Sequence, residues 1–394
     1  MKILKATIQM LSSCSTPLHA DTFFGHICWA LRYMEGEDTL KTFLDSYTLK
    51  TQPLLISNAF NKGLIPRPKL LPLKIKEIED LELIFKEKYS AIEIENALKI
   101  LKKQEYISFE TFNNHRENYS EFEIYTKIFN NELCPINFSS NKPKDDDKGP
   151  PPDESKSCCS SKKDDKVCSK IGTPCSKLFP KSEKKCTLKA TETTVVTLHN
   201  TINRLNGQVL EEGGFYPQDE TFFDKDHCEF DLYISIDEEK VKEDKLKKIL
   251  EFIGENGFGK DKNIGKGHFK LVSLNEIKDF PEPKDEKDKD GKEDYLLALS
   301  HFVPDASDSP TDAYYSLITK YGKLGGHYAT SADKVPFKKP IIFLKEGSLI
   351  KYSKDKDRKF VGCLLDKVNN DTFIRHYAYA LCYPIRLKKE EGTA

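Results

Sequence analysis

No stretch of the 394 residues is long and apolar enough to span a bilayer. The N-terminus, MKILKATIQM, alternates like a strand instead of building the apolar centre of a signal peptide. Net charge is lacking too: 62 Lys and Arg against 63 Asp and Glu leave −1, so overall charge does not advertise a polyanion partner. Neither a Walker A loop nor an H-E-x-x-H metal motif is present, which disfavours P-loop nucleotide chemistry and a zinc hydrolase. Eleven cysteines without a secretion signal point to reduced thiols and a cytoplasmic protein.

What is there is unevenly placed. The run DFPEPKDEKDKDGKED (279–294) holds twice as many acids as bases and reads as a solvated acidic loop. Part of the charge balance is therefore local. Five cysteines, Cys158, Cys159, Cys168, Cys175 and Cys186, fall in a Lys-, Ser- and Asp-rich insert at 139–186. After the adjacent pair their gaps are eight, six and ten residues, which match no standard zinc spacing. A flexible insert with idle thiols is expected, with no cofactor; zinc on these cysteines is the alternative.

Residues 257–271, GFGKDKNIGKGHFKL, carry four glycines and four lysines. Gly259 and Gly265 are separated by five residues, and Gly267 stands where a Walker loop has Ser or Thr. Upstream, Leu246, Ile249, Leu250 and Ile253 have helical spacing, while His268 to Val272 alternate, so the loop runs from helix to strand. Two readings remain: glycines ending a helix before a lysine-rich turn, or a cradle for nucleic-acid phosphates.

The rest of the chain gives an element order. A first strand (2–10) puts Leu4, Ala6, Ile8 and Met10 on one face, and Asp21 reads as the N-cap of a helix with Phe24, Ile27, Cys28 and Leu31 inside. A strand at 52–60, a turn at 65–68 and helices across 75–130 follow. Then come a strand at 191–200 and a hairpin excursion at 201–217. The clearest strand, 228–237, sets Phe230, Leu232, Ile234 and Ile236 on one face. A helix (241–255), a strand (268–274) and short strands from 295 complete it. The order predicts an α+β fold of two ferredoxin-like units (β-α-β-β-α-β) with antiparallel sheets. The units are 1–138, with a helical insertion, and 228–394, with the glycine-rich loop (257–267) and the acidic loop. The insert (139–186) and a strand with a thumb-like hairpin (187–227) lie between them.

Six stretches together resemble one family: SSCSTPLHADTFFGHICWAL, ISNAFNKGLIPRP, HNTINRLNG, GFGKDKNIGKG, TKYGKLGGHYATSADKVPFKKPIIFLKEGS and FIRHYAYALCYPIRL. They are similar to the RAMP superfamily, and within it to the Cas-five-like fourth Csm subunit of type III-A CRISPR effector complexes. The likeness spans most of 1–275 and 314–387. It implies a subunit that grips the 5′ repeat-derived handle of the CRISPR RNA and joins a large Cas-ten-type subunit to a filament of backbone RAMP subunits. Target RNA would be met only indirectly, and no membrane is involved.

On that resemblance Gly257, Gly259, Gly265 and Gly267 expose main-chain amides to the RNA, and Lys260, Lys262 and Lys266 take successive phosphates. His19 and Thr22 offer a polar side chain and helix-terminal amides. Arg67 is held on a proline-flanked turn. His199, Asn200 and Arg204 lie at the base of the excursion, although Arg204 also has Glu211 and Glu212 within its own hairpin. Arg375, His376 and Tyr377 fall in the last strand, as solvent-facing or base-contacting residues. The alternative is a metal-independent endoribonuclease that processes precursor RNA, with His19 as general base and Lys266 stabilising the transition state.

Overall fold

The computed structural model describes residues 1–48, 51–133, 178, 192–203, 205–210, 214–225, 228–278, 280–281, 292–305, 308, 310–329, 335–352 and 359–388. Three expectations lie outside the described residues: the insert cysteines Cys158, Cys159, Cys168, Cys175 and Cys186, Arg204, and most of the acidic loop.

The chain opens with β1 (Lys2–Met10), α1 (Ala20–Glu35) and α2 (Glu37–Asp45), then the short strands β2 (Leu54–Ile56), β3 (Phe60–Asn61) and β4 (Leu64–Pro66). The helical insertion holds α3 (Ile75–Phe85), α4 (Ala91–Lys102), β5 (Tyr106–Ser108), α5 (Phe109–His115) and α6 (Glu121–Phe129). Its helix starts are written locally. Ser90 and Glu93 cap α4 reciprocally, and Ser120 accepts from the Glu123 amide at the head of α6. β6 (Glu192–Asn200) and β7 (Phe215–Phe223) pair as a hairpin, followed by β8 (Glu229–Ile236), α7 (Glu243–Asn256) and β9 (Phe269–Glu276).

These segments build one antiparallel sheet in the order β2–β8–β1–β9. β1 pairs with β8 from Lys2↔Ile236 to Gln9↔Glu229 and with β9 on its other side. The alternation sends Leu4, Ala6 and Ile8 to a fully buried face, where they meet Phe23, Phe24 and Ile27 of α1 and Leu246, Ile249 and Leu250 of α7. The opposite face contributes Ile3 and Tyr233 to a second core shared with the helical insertion. Thr7 donates to Asp231 at 2.7 Å, and the Gly63 amide donates to the same carboxylate, so the acid buried in mid-sheet is satisfied.

The last region supplies β10 (Lys292–Ala298), β11 (Pro310–Tyr314), β12 (Leu317–Lys320), β13 (Ile341–Leu344), β14 (Leu349–Tyr352), β15 (Phe360–Leu365) and β16 (His376–Lys388). Five form a second sheet in the order β11–β14–β10–β16–β15, and β12 pairs with β13 alone. β16 joins the two sheets. The Tyr377 hydroxyl accepts from the Ile56 amide (2.8 Å) and donates to the Ile56 carbonyl (3.1 Å) across 321 residues of chain.

The fold is thus mixed α/β with several antiparallel sheets, and three expectations change. The boundary that set 1–138 apart from 228–394 is crossed by the first sheet, because β1 finds its partners only in β8 and β9. Beyond Glu276 the described residues hold no α-helix, and Tyr295, Leu297 and Tyr383 of the second sheet share their core instead with the helical insertion, through residues such as Leu81 and Phe112. Asp21 is not the N-cap. His19 holds that position in extended conformation without a side-chain cap, and Asp21 sits in the first turn, 2.7 Å from Lys320.

Candidate nucleic-acid interface

α7 ends at Gly257, whose φ of 82° favours glycine, and the chain turns under Phe258. That ring is fully buried against Phe23 and His26, with centroids 4.4 and 5.0 Å away. The loop then threads between the residues after β1 and the hairpin. The Gly259 amide donates to His26 Nε2 (2.8 Å), Lys260 to Thr16 Oγ1 (2.9 Å), Gly267 to the Ser13 carbonyl (2.7 Å) and His268 to Ser12 Oγ (2.9 Å). A Cβ on Gly259 would overlap Thr16, and one on Gly267 would enter the Phe258 carbonyl. These glycines therefore let protein segments approach one another. The expectation that their amides face a ligand is corrected for Gly259 and Gly267, whose donors are used inside the fold. Gly265 differs, lying exposed with nothing within 4 Å of its Cβ position.

The lysines divide in the same way. Lys266 is buried, its Nζ 2.9 Å from Glu220 Oε2 on β7 and 3.7 Å from Asp261. Hydrogen bonds from Ser13 and Lys266 hold the Glu220 carboxyl below the usual range. Lys266 is thus held in a buried ion pair and is not presented to solvent as the expected phosphate contact would be. Lys260 is exposed; its Nζ donates to Gln218 Oε1 and lies 5.5 Å above the Tyr216 ring. Tyr216 and His199 are register partners whose rings stack at 5.5 Å and 18°. Burial, with the Lys262 charge behind it, pushes His26 down to about 4 and keeps it neutral as the acceptor for Gly259.

His199, Tyr216 and Lys260 thus form a column of ring, ring and ammonium beside the loop, with exposed Asn200 next along β6. Stacked rings with an adjacent cation can hold an unpaired base and its phosphate. Sequence reasoning reached His199 and Lys260 but missed Tyr216, Gln218 and His26. Tyr216 was accessible in principle, because a hairpin whose arms pair from Glu192↔Phe223 puts it opposite His199.

The other candidates are scattered. His19 packs on His301 at 4.5 Å and is pushed down to about 3, by burial first and then by Lys320. The Ala20 amide at the head of α1 donates to Asn58 Oδ1, so it is not presented to solvent. Thr22 is half-buried on the outer side of α1. Arg67 lies inside the helical insertion, donating to the Leu101 carbonyl (2.6 Å), Glu121 (2.6 Å) and the Tyr125 hydroxyl. Its fork is filled, and it is not part of this surface. Arg375 turns its guanidinium onto the Thr372 carbonyl just before β16. His376 is buried between Asp21 (3.5 Å) and Lys338 (3.0 Å), and Tyr377 is core, so neither faces solvent. Among the described residues no group of three His, Cys, Asp or Glu side chains is placed to hold a metal ion.

No family model matches the chain, and no curated protein matches it. Solved structures do resemble it. It is similar to a chain of the Csm1-Csm4 cassette in complex with AMPPNP, at 16% identity and a TM-score of 0.47 over 100% of both chains. It is similar to a chain of the Csm3-Csm4 subcomplex in the type III-A CRISPR-Cas interference complex, at 18% identity and 0.45, covering 99% of this chain and 100% of that one. A chain of the Type III-B Cmr-beta complex bound to cognate target RNA and AMPPnP matches at 13% identity and 0.37, covering 88% and 86%. These neighbours are chains of type III CRISPR complexes.

Proposed function

We propose that this chain is a non-catalytic RNA-binding subunit of a type III-A CRISPR effector complex. It grips the 5′ repeat-derived handle of the CRISPR RNA and joins the large Cas-ten-type subunit to the backbone RAMP filament. The observation that carries the RNA-binding part is the column of His199, Tyr216 and Lys260 beside the glycine-rich loop. The complex and its partners come from the motifs quoted above. The order β2–β8–β1–β9, with α1 and α7 on one face, supports a ferredoxin-like platform beneath the column.

Binding is favoured over cleavage by the state of the two groups cleavage would use. Lys266 is bound to Glu220, and His19 is packed on a second histidine. The test is a titration of the purified chain with labelled single-stranded RNA carrying the handle, against a scrambled RNA of equal length, over a salt series with EDTA present. Handle RNA should bind more tightly, lose affinity steeply as salt rises and remain intact. Equal binding of both RNAs overturns handle recognition. Cyclic-phosphate ends that vanish in His19→Ala overturn the non-catalytic assignment.

A further inference from the structure

On α1, Asp21, Gly25 and Trp29 follow one another four residues apart and so share a row, with Thr22 and His26 in the row beside it. The end of β12 and the segment after it engage the first row at both ends. Lys320 Nζ lies 2.7 Å from Asp21, and Gly326 packs so tightly on Trp29 that a Cβ there would sit 2.5 Å from the indole. His26 is engaged from the other side by the Gly259 amide. Two glycine-rich segments, 257–267 and 322–326, thus touch α1 on its two sides, and we read the helix surface between these contacts as the floor of a groove.

Gly25 lies in mid-floor, one turn from each of those contacts. A Cβ on it would meet no atom within 4 Å. Glycine in a helix interior is less favourable than alanine, and the usual compensation is a neighbouring element that needs the space. No described element occupies it.

We propose that the sugar–phosphate backbone of single-stranded RNA lies in this groove and makes its closest approach to the protein at Gly25. The charges suit that occupant. Lys260 and Lys262 stand on one wall and exposed Lys323 on the other, while Asp21, the acid of the floor, is neutralised by Lys320. At the far end Tyr33 is 61% exposed and is propped from behind by Trp29, ring centroids 5.5 Å apart at 25°. A base leaving the groove can stack on its outer face. The strand would thus run from the column of His199, Tyr216 and Lys260, across Gly25, to Tyr33.

This rests on the RNA-binding reading, and the test separates the two. The full chain, Gly25→Ala, Gly25→Leu and Lys260→Ala are titrated with labelled single-stranded RNA carrying the handle, and each Tm is measured. Gly25→Ala should melt at or above the parent temperature yet bind about tenfold more weakly, with Gly25→Leu weaker still. Unchanged affinity in Gly25→Leu overturns the groove and leaves it to a protein partner. If Lys260→Ala is weakened in that case, the RNA-binding function itself stands; if neither variant is weakened, both readings fall. A lower Tm for Gly25→Ala would assign the glycine to packing and overturn the inference.

Discussion

Lys266 spans from the glycine-rich loop to Glu220 on the hairpin, Nζ to Oε2 at 2.9 Å, with both side chains about nine-tenths buried. This pair locks the loop to β7, so the two cannot move independently. Removing one partner leaves the other charge buried alone, which costs about 3–5 kcal/mol. Lys266→Ala should lower urea stability by that order, and a Lys266→Met, Glu220→Leu double variant should recover most of the loss. The salt slope of RNA binding should stay at the parent value in the folded fraction. A slope lowered in the double variant would return Lys266 to the phosphate contacts.

Arg67 has the same character in a different place. Its guanidinium serves Glu121, Tyr125 and Leu101, and it carries a 5.3 Å cation–π contact with Tyr125. Arg67→Ala is expected to destabilise the chain by about 3 kcal/mol or more, since Glu121 loses its partner. RNA affinity, measured where the variant is still folded, should be unchanged.

The hairpin column is where binding should respond. Tyr216→Ala removes both the stacking partner of His199 and the ring under Lys260, and a lost base stack is worth about 1–3 kcal/mol. Lys260→Ala should reduce the salt slope by about 0.7, the value for one phosphate contact on a single strand. Neither residue lies in a core, so melting temperatures should barely move. Fluorescence anisotropy over a salt series checks both.

Acid should loosen the loop. His26, with a pKa of about 4 in the folded chain, sits well below its ordinary 6.5, because burial disfavours the charged ring. The unfolded chain therefore takes up the proton first, and stability is lost as pH falls from about 6.5 towards 4. By pH 5 His26 alone should cost about 2 kcal/mol. His376, pushed down to about 4 by burial and by Lys338, acts in the same direction. Denaturant curves at pH 7 and pH 5 should differ accordingly, and the difference should shrink in His26→Gln, which retains an acceptor for the Gly259 amide but does not titrate.

Much of the first sheet was legible because its strands are half-buried and so alternate with period two. Leu4, Ala6 and Ile8 in β1 and Phe230, Leu232 and Ile234 in β8 lie on the inner face their spacing predicts. The helix before the loop was legible for the same reason. What could not be read were partnerships across the chain. Arg67 looked free until Glu121 and Tyr125 came to it from a helix 54 and 58 residues away. Asp21 looked like a cap until Lys320 arrived from 299 residues downstream. Lys266 looked like a phosphate ligand because its neutralising acid sits on a different element, 46 residues upstream. A local pattern reports a side chain's face, but long-range packing decides whether its charge is still available.

The placement of β1 between β8 and β9 has a further consequence, for synthesis. The strand is made before either of its neighbours, both of which lie within residues 229–276. At about 5–20 residues per second, translation needs roughly 13 to 50 s to reach them. Throughout that wait β1 has two unpaired edges and an uncovered apolar face, the features that favour pairing with other nascent copies until the second half arrives.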